Sequence, residues 1–559
     1  MREERHVPNR PSSAQPVFAA HQSVDKGGLL FLLPALIAQG LLKARDFYQF
    51  PLTHYYGIES IVLTLAFMSL ARIKNPESLK HCKPGELGRL IGLDRIPEVK
   101  CLRKKIEFIC EQQQATNFNE ALMKQWCGEQ SEEEQGFYYV DGHQRIYYGT
   151  QAHLPKKYIA RQKLCLSATT EFWVNDAQGQ PLMMVIGELS EKLQDAILNL
   201  ILPQMLRAGI ILPLDQYNDE HTPQCTLVFD REASSPIFFD RLWEQYRISF
   251  ITYRKNVPDI YPAESFHSTV INMMENEVDM LLCECCVQLG THQTWYREVR
   301  RLSQQSEHQT TIITNHPTLS KEQIARRMFS RWTQENFFKY LIADYDFDKI
   351  ISFGIEPVDQ QKTVVNPEYR IRSHQIKKLR EKIKRVEAKF FPLAEQLMDG
   401  NIEQMPKIST IHERYRLQID ELKQELEQLL EERKQHASRI RVEQMPENKK
   451  YDKLKTESKK FINLIRMIAY RAETALANTI CELIDNKNNQ QFKRMIVKYI
   501  INTPADITPD YDNNLLTVKL HHLSTPVHNK IAQQIADLLN ETQTLFPGTN
   551  LTLKFQASG

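Results

Sequence analysis

Three acidic residues sit where a folded chain can bring distant carboxylates together. Asp141 follows the aromatic run FYYV, Asp230 follows the apolar run LVF, and Glu335 lies within the helical stretch RWTQENFFKY. An acid at the end of a central strand meets other such acids at one edge of a sheet. A helix packed across that edge adds a third. Three carboxylates gathered there repel one another unless a divalent cation neutralises them. Two hard cations about 4 Å apart can activate a water or a 3′-hydroxyl and stabilise the leaving oxygen of a phosphodiester displacement. Taken singly, each acid also reads as an ordinary surface or loop carboxylate, because strands commonly turn on Asp. The chemistry rests on the three together.

Other polar residues stand beside them. His143, two residues past Asp141, shares its strand face. It reads as a phosphate or metal contact, or as a polar neighbour. Arg231 suits a phosphate oxygen or a nearby acid. Arg331 and Lys339 lie one turn either side of Glu335. Lys339 reads equally as a phosphate contact and as a helix salt bridge with Glu335. Of ten cysteines, Cys283 and Cys286 have C-x-x-C spacing without a matching second pair, so a structural zinc site is not indicated. Unpatterned thiols otherwise fit a reducing cytosol.

The elements that must hold these residues follow from pattern. Over 136–350, GFYYVDGHQRIYYG, TEFWVNDAQGQPLMMVIGE, CTLVFD and ISFITYR read as strands. Helices are expected at Leu193–Ala208 and Pro236–Arg247. Interleaved strands and helices imply an α/β sheet covered on its faces. Residues 256–314 look like a β-rich insertion. One helix then starts at Ser320, with Gln323 completing a capping box, and runs on through Glu335.

Residues 27–112 read as helical. Glu59–Ile73 is apolar nearly all round and predicts a core helix. Gly85–Ile91, a turn at Gly92, a cap at Asp94 and Pro97 in a second helix's first turn outline a helix-turn-helix. The second helix carries Lys100, Arg103, Lys104 and Lys105. The same pattern also fits an ordinary helical hairpin with a solvated basic face. Residues 113–135 are polar and read as a linker. Residues 368–485 read as a helical region with a heptad hairpin. Ile376, Ile383 and Phe390 alternate with Leu379, Val386 and Leu393 on one helix, which Pro392 should break. Ile408, Tyr415, Leu422 and Leu429, with Ile419 and Leu426, form the second seam. Residues 486–559 form a small α+β piece.

Bulk composition bounds the rest. A chain of 559 residues calls for roughly three or four domains, and 42% hydrophobic with 25% charged residues is a globular profile. Net charge is only +2, so a polyanion partner must be met by local clusters. Lys156, Lys157, Arg161 and Lys163 form one. The helix 370–389, with Lys377, Lys378 and Arg380, forms another, and lysines between Lys449 and Lys460 a third. Residues 1–26 are polar, do not read as a signal peptide, and are expected to be a disordered tail. Gly28–Leu42 is apolar but too short, and interrupted, for a membrane span; a buried helix is expected. Trp332 and Phe337 are expected in the core; Trp295 is expected there too, with stacking on a displaced base as its alternative.

VDGHQRIYYG around Asp141, LVFDREASS around Asp230 and RWTQENFFKY around Glu335 resemble the DDE transposases of bacterial insertion sequences. YYGIESIVLTLAFMSLARIKNPESL, KPGELGRLIGLDRIPEVKCLR and LPKKYIARQKLCLSATTEFWVNDAQGQP resemble that group too, so the likeness covers most of 28–350. It implies a ribonuclease H-like α/β catalytic core of the retroviral-integrase superfamily, with a β-rich insertion, between an N-terminal helical domain and a C-terminal helical, coiled-coil region. It implies that Asp141, Asp230 and Glu335 bind two Mg2+ or Mn2+ ions, and that the protein cuts element ends and joins them to target DNA. Double-stranded DNA is then the partner, a homodimer a plausible assembly, and the bacterial cytosol the compartment. Many relatives carry Y-x-x-R-x-x-x-E-x-x-x-x-x-x-K on the glutamate helix. Here Met328 and Ile342 replace the tyrosine and the distal lysine, and Lys339 is the substitute within reach. A nuclease without strand transfer and a non-catalytic DNA-binding relative are the alternatives.

Overall fold

The computed structural model describes residues 13–51, 54–160, 162–188, 191–273, 276–290, 292–345, 354–398, 405–483 and 490–558. The chain is mixed α/β and falls into two units. One takes the described residues of 1–148, 156–352 and 456–559; the other takes those of 149–155 and 353–455.

The first unit opens with strand β1 (His21–Val24), where a disordered tail was expected. A wholly buried 3-10 turn, Gly27–Leu32, leads into α1 (Leu33–Ala38). Among the described residues no single helix is long and apolar enough to cross a membrane, and this apolar stretch is core. Helix α2 (Ile58–Leu70) is buried at every position from Ile61 to Leu70 except Ser69, as its apolar sequence there requires. Helices α3 (Pro84–Leu90) and α4 (Val99–Glu111) follow. The turn between them needs Gly92: φ is +66°, and a Cβ there would sit 2.9 Å from Phe18 and Pro16.

The start of α4 differs from expectation. Glu98 is the residue at the N-terminal boundary, Pro97 lies outside the helix, and Asp94 instead accepts a 3.0 Å bond from the Tyr55 hydroxyl. Leu102, Ile106 and Ile109 face inward, while Lys100, Arg103 and Lys104 face solvent. The expected linker is helix α5 (Ala115–Gly128), which buries Phe118, Leu122, Met123 and Trp126. Those four apolar positions make one helical stripe, which the polar surroundings obscured.

The next strands are β2 (Phe137–Ile146), β3 (Lys156–Ile159), β4 (Leu164–Asn175) and β5 (Pro181–Gly187). Helix α6 spans 193–207 and contains a π turn at Ile197–Ile201, just ahead of Pro203. The widened turn accommodates a residue with no N–H to donate. Strand β6 (Cys225–Phe229), helix α7 (Pro236–Tyr246) and strand β7 (Ile248–Tyr253) complete a parallel crossover. Then come β8 (His267–Met273), β9 (Asn276–Gln288), β10 (Trp295–Leu302) and β11 (Gln309–Thr314).

All ten strands from β2 to β11 belong to one sheet, in the order β3-β4-β2-β6-β7-β11-β10-β9-β8, with β5 on β4. The β-rich stretch 256–314 therefore extends the central sheet through the antiparallel β7–β11 pair. β6 is buried at every residue, as a parallel strand covered on both faces must be. Leu227, Phe229 and Phe250 pack on one face with α7 residues Phe238, Phe239 and Leu242. Tyr139, Val228 and Ile251 pack on the other with Ile324, Ala325 and Met328.

Those last three belong to α8 (Lys321–Phe329), which has the expected Ser320–Gln323 capping box. The helix does not run on. A turn at Ser330–Arg331 separates it from α9 (Trp332–Tyr345), the helix that contains Glu335.

The second unit has two short ladders: β12 (Ile355–Glu356) on β15 (Lys453–Leu454), and β13 (Thr363–Val365) on β14 (Arg439–Arg441). Between β13 and β14 stand helices α10 (Pro367–Met398) and α11 (Met405–Lys434). Leu379, Ile383, Val386, Ile419 and Leu422 form their seam, flanked by Phe390, Tyr415, Leu426 and Leu429. Arg372 pairs with Glu432 at 2.8 Å and Lys423 with Glu387 at 3.5 Å, so the helices run antiparallel. Pro392 does not break α10. The carbonyl it orphans belongs to exposed Ala388, where water can take the bond.

The chain returns to the first unit at α12 (Glu457–Leu483), followed by α13 (Gln490–Asn502), β16 (Ala505–Asp510), β17 (Leu515–Leu520), α14 (Pro526–Glu541) and β18 (Thr552–Ala557). The expected helical region 368–485 is thus split, because α12 is a core helix of the first unit. The C-terminal strands form a four-stranded sheet, β1-β16-β17-β18, closed by β1 from the other end of the chain.

Candidate active site

β2 and β6 pair in parallel, and their last registered partners are Val140 and Phe229. One residue further along each strand stand Asp141 and Asp230. Neighbouring strands lie about 4.8 Å apart, so the two aspartates leave the sheet side by side. Alternation puts Asp141 on the face of Tyr139 and Asp230 on the face of Val228, the face that α8 covers. β2 continues, with Asp141 opposite Trp173 of β4. β6 ends there, and Asp230 opens a 3-10 turn by accepting the Arg231 N–H at 2.7 Å. Asp141 Oδ1 accepts the Gly142 N–H at 3.0 Å. Both carboxylates are partly open to solvent.

The helix pair is fixed over this edge. The Tyr139 hydroxyl donates to the Arg327 carbonyl at 3.0 Å. Arg331, in the break between α8 and α9, places Nη1 3.8 Å from Asp141 Oδ1. Six residues on, Phe337 packs edge-on against Trp173 at 5.9 Å. Glu335 lies between these two anchors; its side chain, like that of Trp332, is outside the described residues. Among the described residues no three His, Cys, Asp or Glu side chains are gathered as for a metal ion.

His143 is buried, opposite Glu171 on β4. It borders a charge cluster that the sequence did not reveal. Glu171 is fully enclosed, with Arg145 Nε at 3.0 Å, Trp173 Nε1 at 3.3 Å and Lys459 Nζ of α12 at 3.6 Å. Burial pushes the Glu171 carboxyl up, but Arg145 and Lys459 override it and hold it below the usual range. For Lys459, burial outweighs the pull of Glu171 and lowers the ammonium to about 7. The polar alternation Asp141-His143-Arg145 on a strand was the available signal for this cluster. Nothing local pointed to Lys459.

A second buried cluster holds the far half of α9. Glu473 of α12 accepts hydrogen bonds from the Tyr340 and Tyr345 hydroxyls and from Arg72 at 2.8 and 3.0 Å. Arg494 of α13 stands 3.6 Å away. Burial raises the Glu473 carboxyl, yet Arg72, Arg494 and the tyrosines bring it below the ordinary range. Asp344, also on α9, pairs with Lys498 at 2.9 Å.

The remaining expected contacts are more dispersed. Arg231 and Lys339 are exposed near the site. Lys100, Arg103 and Lys104 are exposed on α4, with Arg103 paired to Glu77. Lys156 is exposed and Lys157 half-buried on β3, while Arg161 is outside the described residues. Lys377, Lys378 and Arg380 are exposed on α10 of the second unit. Phe337 is core as expected. Trp295 is not: at the first position of β10 it is 64% exposed. Cys283 and Cys286, three apart on β9, point to opposite sheet faces, the wrong geometry for one shared metal.

A family model described as "Transposase protein" matches residues 9–558, nearly the whole chain. The chain belongs to this transposase family. No curated protein matches it. The transposase match takes in both units, including the hairpin and the C-terminal sheet. A transposase processes DNA, so the exposed basic residues of this transposase have a polyanion to meet.

Proposed function

We propose that this transposase is of the DDE type, with a ribonuclease H-like core in which Asp141, Asp230 and Glu335 hold two Mg2+ or Mn2+ ions. The observation that carries the reading is the pairing of β2 with β6, which sets Asp141 and Asp230 side by side on one face of the sheet. The strand order β5-β4-β2-β6-β7, antiparallel on one side and parallel on the other, agrees with it. The donor set fits the ions: two adjacent, partly open carboxylates supply hard oxygens. When bound, the ions would activate the attacking water or 3′-hydroxyl and stabilise the leaving oxygen.

The chain's own residues do the rest. Tyr139, Arg331 and the Phe337–Trp173 contact bring α9 to the edge that carries Asp141. On this reading Glu335 completes the acid triad from the helix side. Arg331, beside Asp141, is available to a phosphate oxygen once cations neutralise that carboxylate. Arg231, exposed next to Asp230, is placed to do the same from the other strand. Met328 fills core space where many relatives have a tyrosine, and exposed Lys339 is the residue of α9 free to reach DNA in place of the missing distal lysine.

Strand transfer distinguishes a transposase from a nuclease built on the same acids. The purified chain is incubated with Mn2+, a supercoiled target and a linear duplex carrying the DNA that borders its own coding sequence. Covalent joining of the duplex 3′ end to the target is expected. Cleavage without joining would leave the nuclease reading.

A further inference from the structure

The sheet continues past its acidic edge. β2 pairs with β4 as far as Ala168, and β3 takes over the pairing from Ser167, so β3 and β4 run on as a two-stranded ribbon. Asp141 is opposite Trp173, Lys156 opposite Ser167 and Tyr158 opposite Cys165. Along β4 these partners are separated by even numbers of residues. Lys156 and Tyr158 therefore lie on the sheet face that carries Asp141, about 20 and 26 Å beyond it at about 3.3 Å per residue. The other face of the ribbon is closed by Ile159, Ala168, Ile146 and Leu166. The first face is open: Lys156 is exposed and Tyr158 is 56% exposed.

Charge selects what this face meets. Between Asp141 and Glu171 the sequence holds no acidic residue and five basic ones: Arg145, Lys156, Lys157, Arg161 and Lys163. Arg145 is spent on Glu171 and Lys157 lies on the closed face, so exposed Lys156 carries the charge of the open one. The major groove of DNA admits a two-stranded β-ribbon, and base pairs rise about 3.4 Å.

We propose that the β3–β4 ribbon lies in a groove of the DNA that flanks the cleaved phosphodiester, about six to eight base pairs from it. Lys156 meets phosphate there, and Tyr158 meets the floor of the groove. The distance rests on the reading of Asp141 and Asp230 as the cutting site; the ribbon's DNA contact does not. The ribbon thus determines how the flank is held, apart from the chemistry at the acids.

The test uses the full chain and a duplex of the DNA bordering its coding sequence. A photocrosslinking residue at position 158 should label nucleotides about six to eight base pairs from the mapped Mn2+-dependent cut. Lys156→Glu should weaken duplex binding about tenfold and lower the slope of log affinity against log salt by at least about one. Both positions are exposed, so folding is preserved, which circular dichroism verifies. Crosslinks scattered along the duplex or confined to single-stranded ends, or an unchanged salt slope, would overturn the ribbon's role. Absence of any cut by the wild-type chain would count against the acid site instead, while the crosslinking and salt slope still decide whether the ribbon touches DNA.

Discussion

Arg331 Nη1 stands 3.8 Å from Asp141 Oδ1, reaching it from the one turn that separates α8 from α9. Because Arg331 ends the turn and Glu335 follows one helical turn later, this contact sets where α9 begins relative to the acidic strand edge. On the proposed reading a guanidinium so placed would serve as a phosphate clamp as well as a spacer. Arg331→Ala is expected to cut the cleavage rate about ten- to hundredfold, the loss of a charge-assisted contact of about 1.5–3 kcal/mol. Duplex affinity should change far less, since many basic residues share it. Equal cleavage rates for variant and wild type would remove Arg331 from the account.

Glu473 is enclosed with Arg72, Arg494, Tyr340 and Tyr345. Glu473→Ala would leave two arginines buried without their counter-charge, at a cost of about 3–5 kcal/mol. Urea unfolding of the full chain reads this out, and Glu473→Gln, which keeps one acceptor oxygen for a tyrosine hydroxyl, should lose less. A loss under about 1 kcal/mol in the alanine variant would show that the cluster is relaxed in solution.

His316 lies in the connection from β11 to α8, and its Nδ1 accepts the N–H groups of Thr318 and Leu319, each at 3.3 Å. Only the form with Nδ1 unprotonated can do so. Burial, aided by Arg297, lowers its pKa from 6.5 to about 4. The unfolded chain takes up this proton near 6.5 and the folded chain only near 4. Its contribution is therefore complete above pH 6.5 and is lost as the pH falls toward 4. His316→Asn keeps an acceptor that does not titrate, so stability should fall less steeply across that window. Identical pH profiles for the two proteins would contradict the assignment.

Much of the fold was legible where pattern and environment agree. The short apolar runs ending in Asp141 and Asp230 are strands, the Ser320–Gln323 box opens a helix, and the heptads from Leu379 to Leu429 pair as a hairpin. Illegible features depended on distant partners. β1 is a strand because β16, almost five hundred residues later, offers an edge. Phe118, Leu122 and Trp126 of α5 are diluted by polar neighbours that face water. Pro392 is tolerated because the orphaned carbonyl is solvated, a property of position rather than of sequence. Lys459 and Glu473 belong to α12, and no local motif announces that Lys459 would neutralise Glu171 on β4, or that Glu473 would pair with Arg72 just past α2 and bind the tyrosines of α9.

The most direct measurement is Mn2+-dependent cleavage of duplex DNA by the purified chain beside its Asp230→Ala variant. The wild type should cut, and the variant, with one of the two adjacent carboxylates proposed to hold metal gone, should lose activity by at least about a hundredfold while still binding the duplex. Equal cutting by both proteins would mean that the paired strand ends of β2 and β6 do not form the reaction centre.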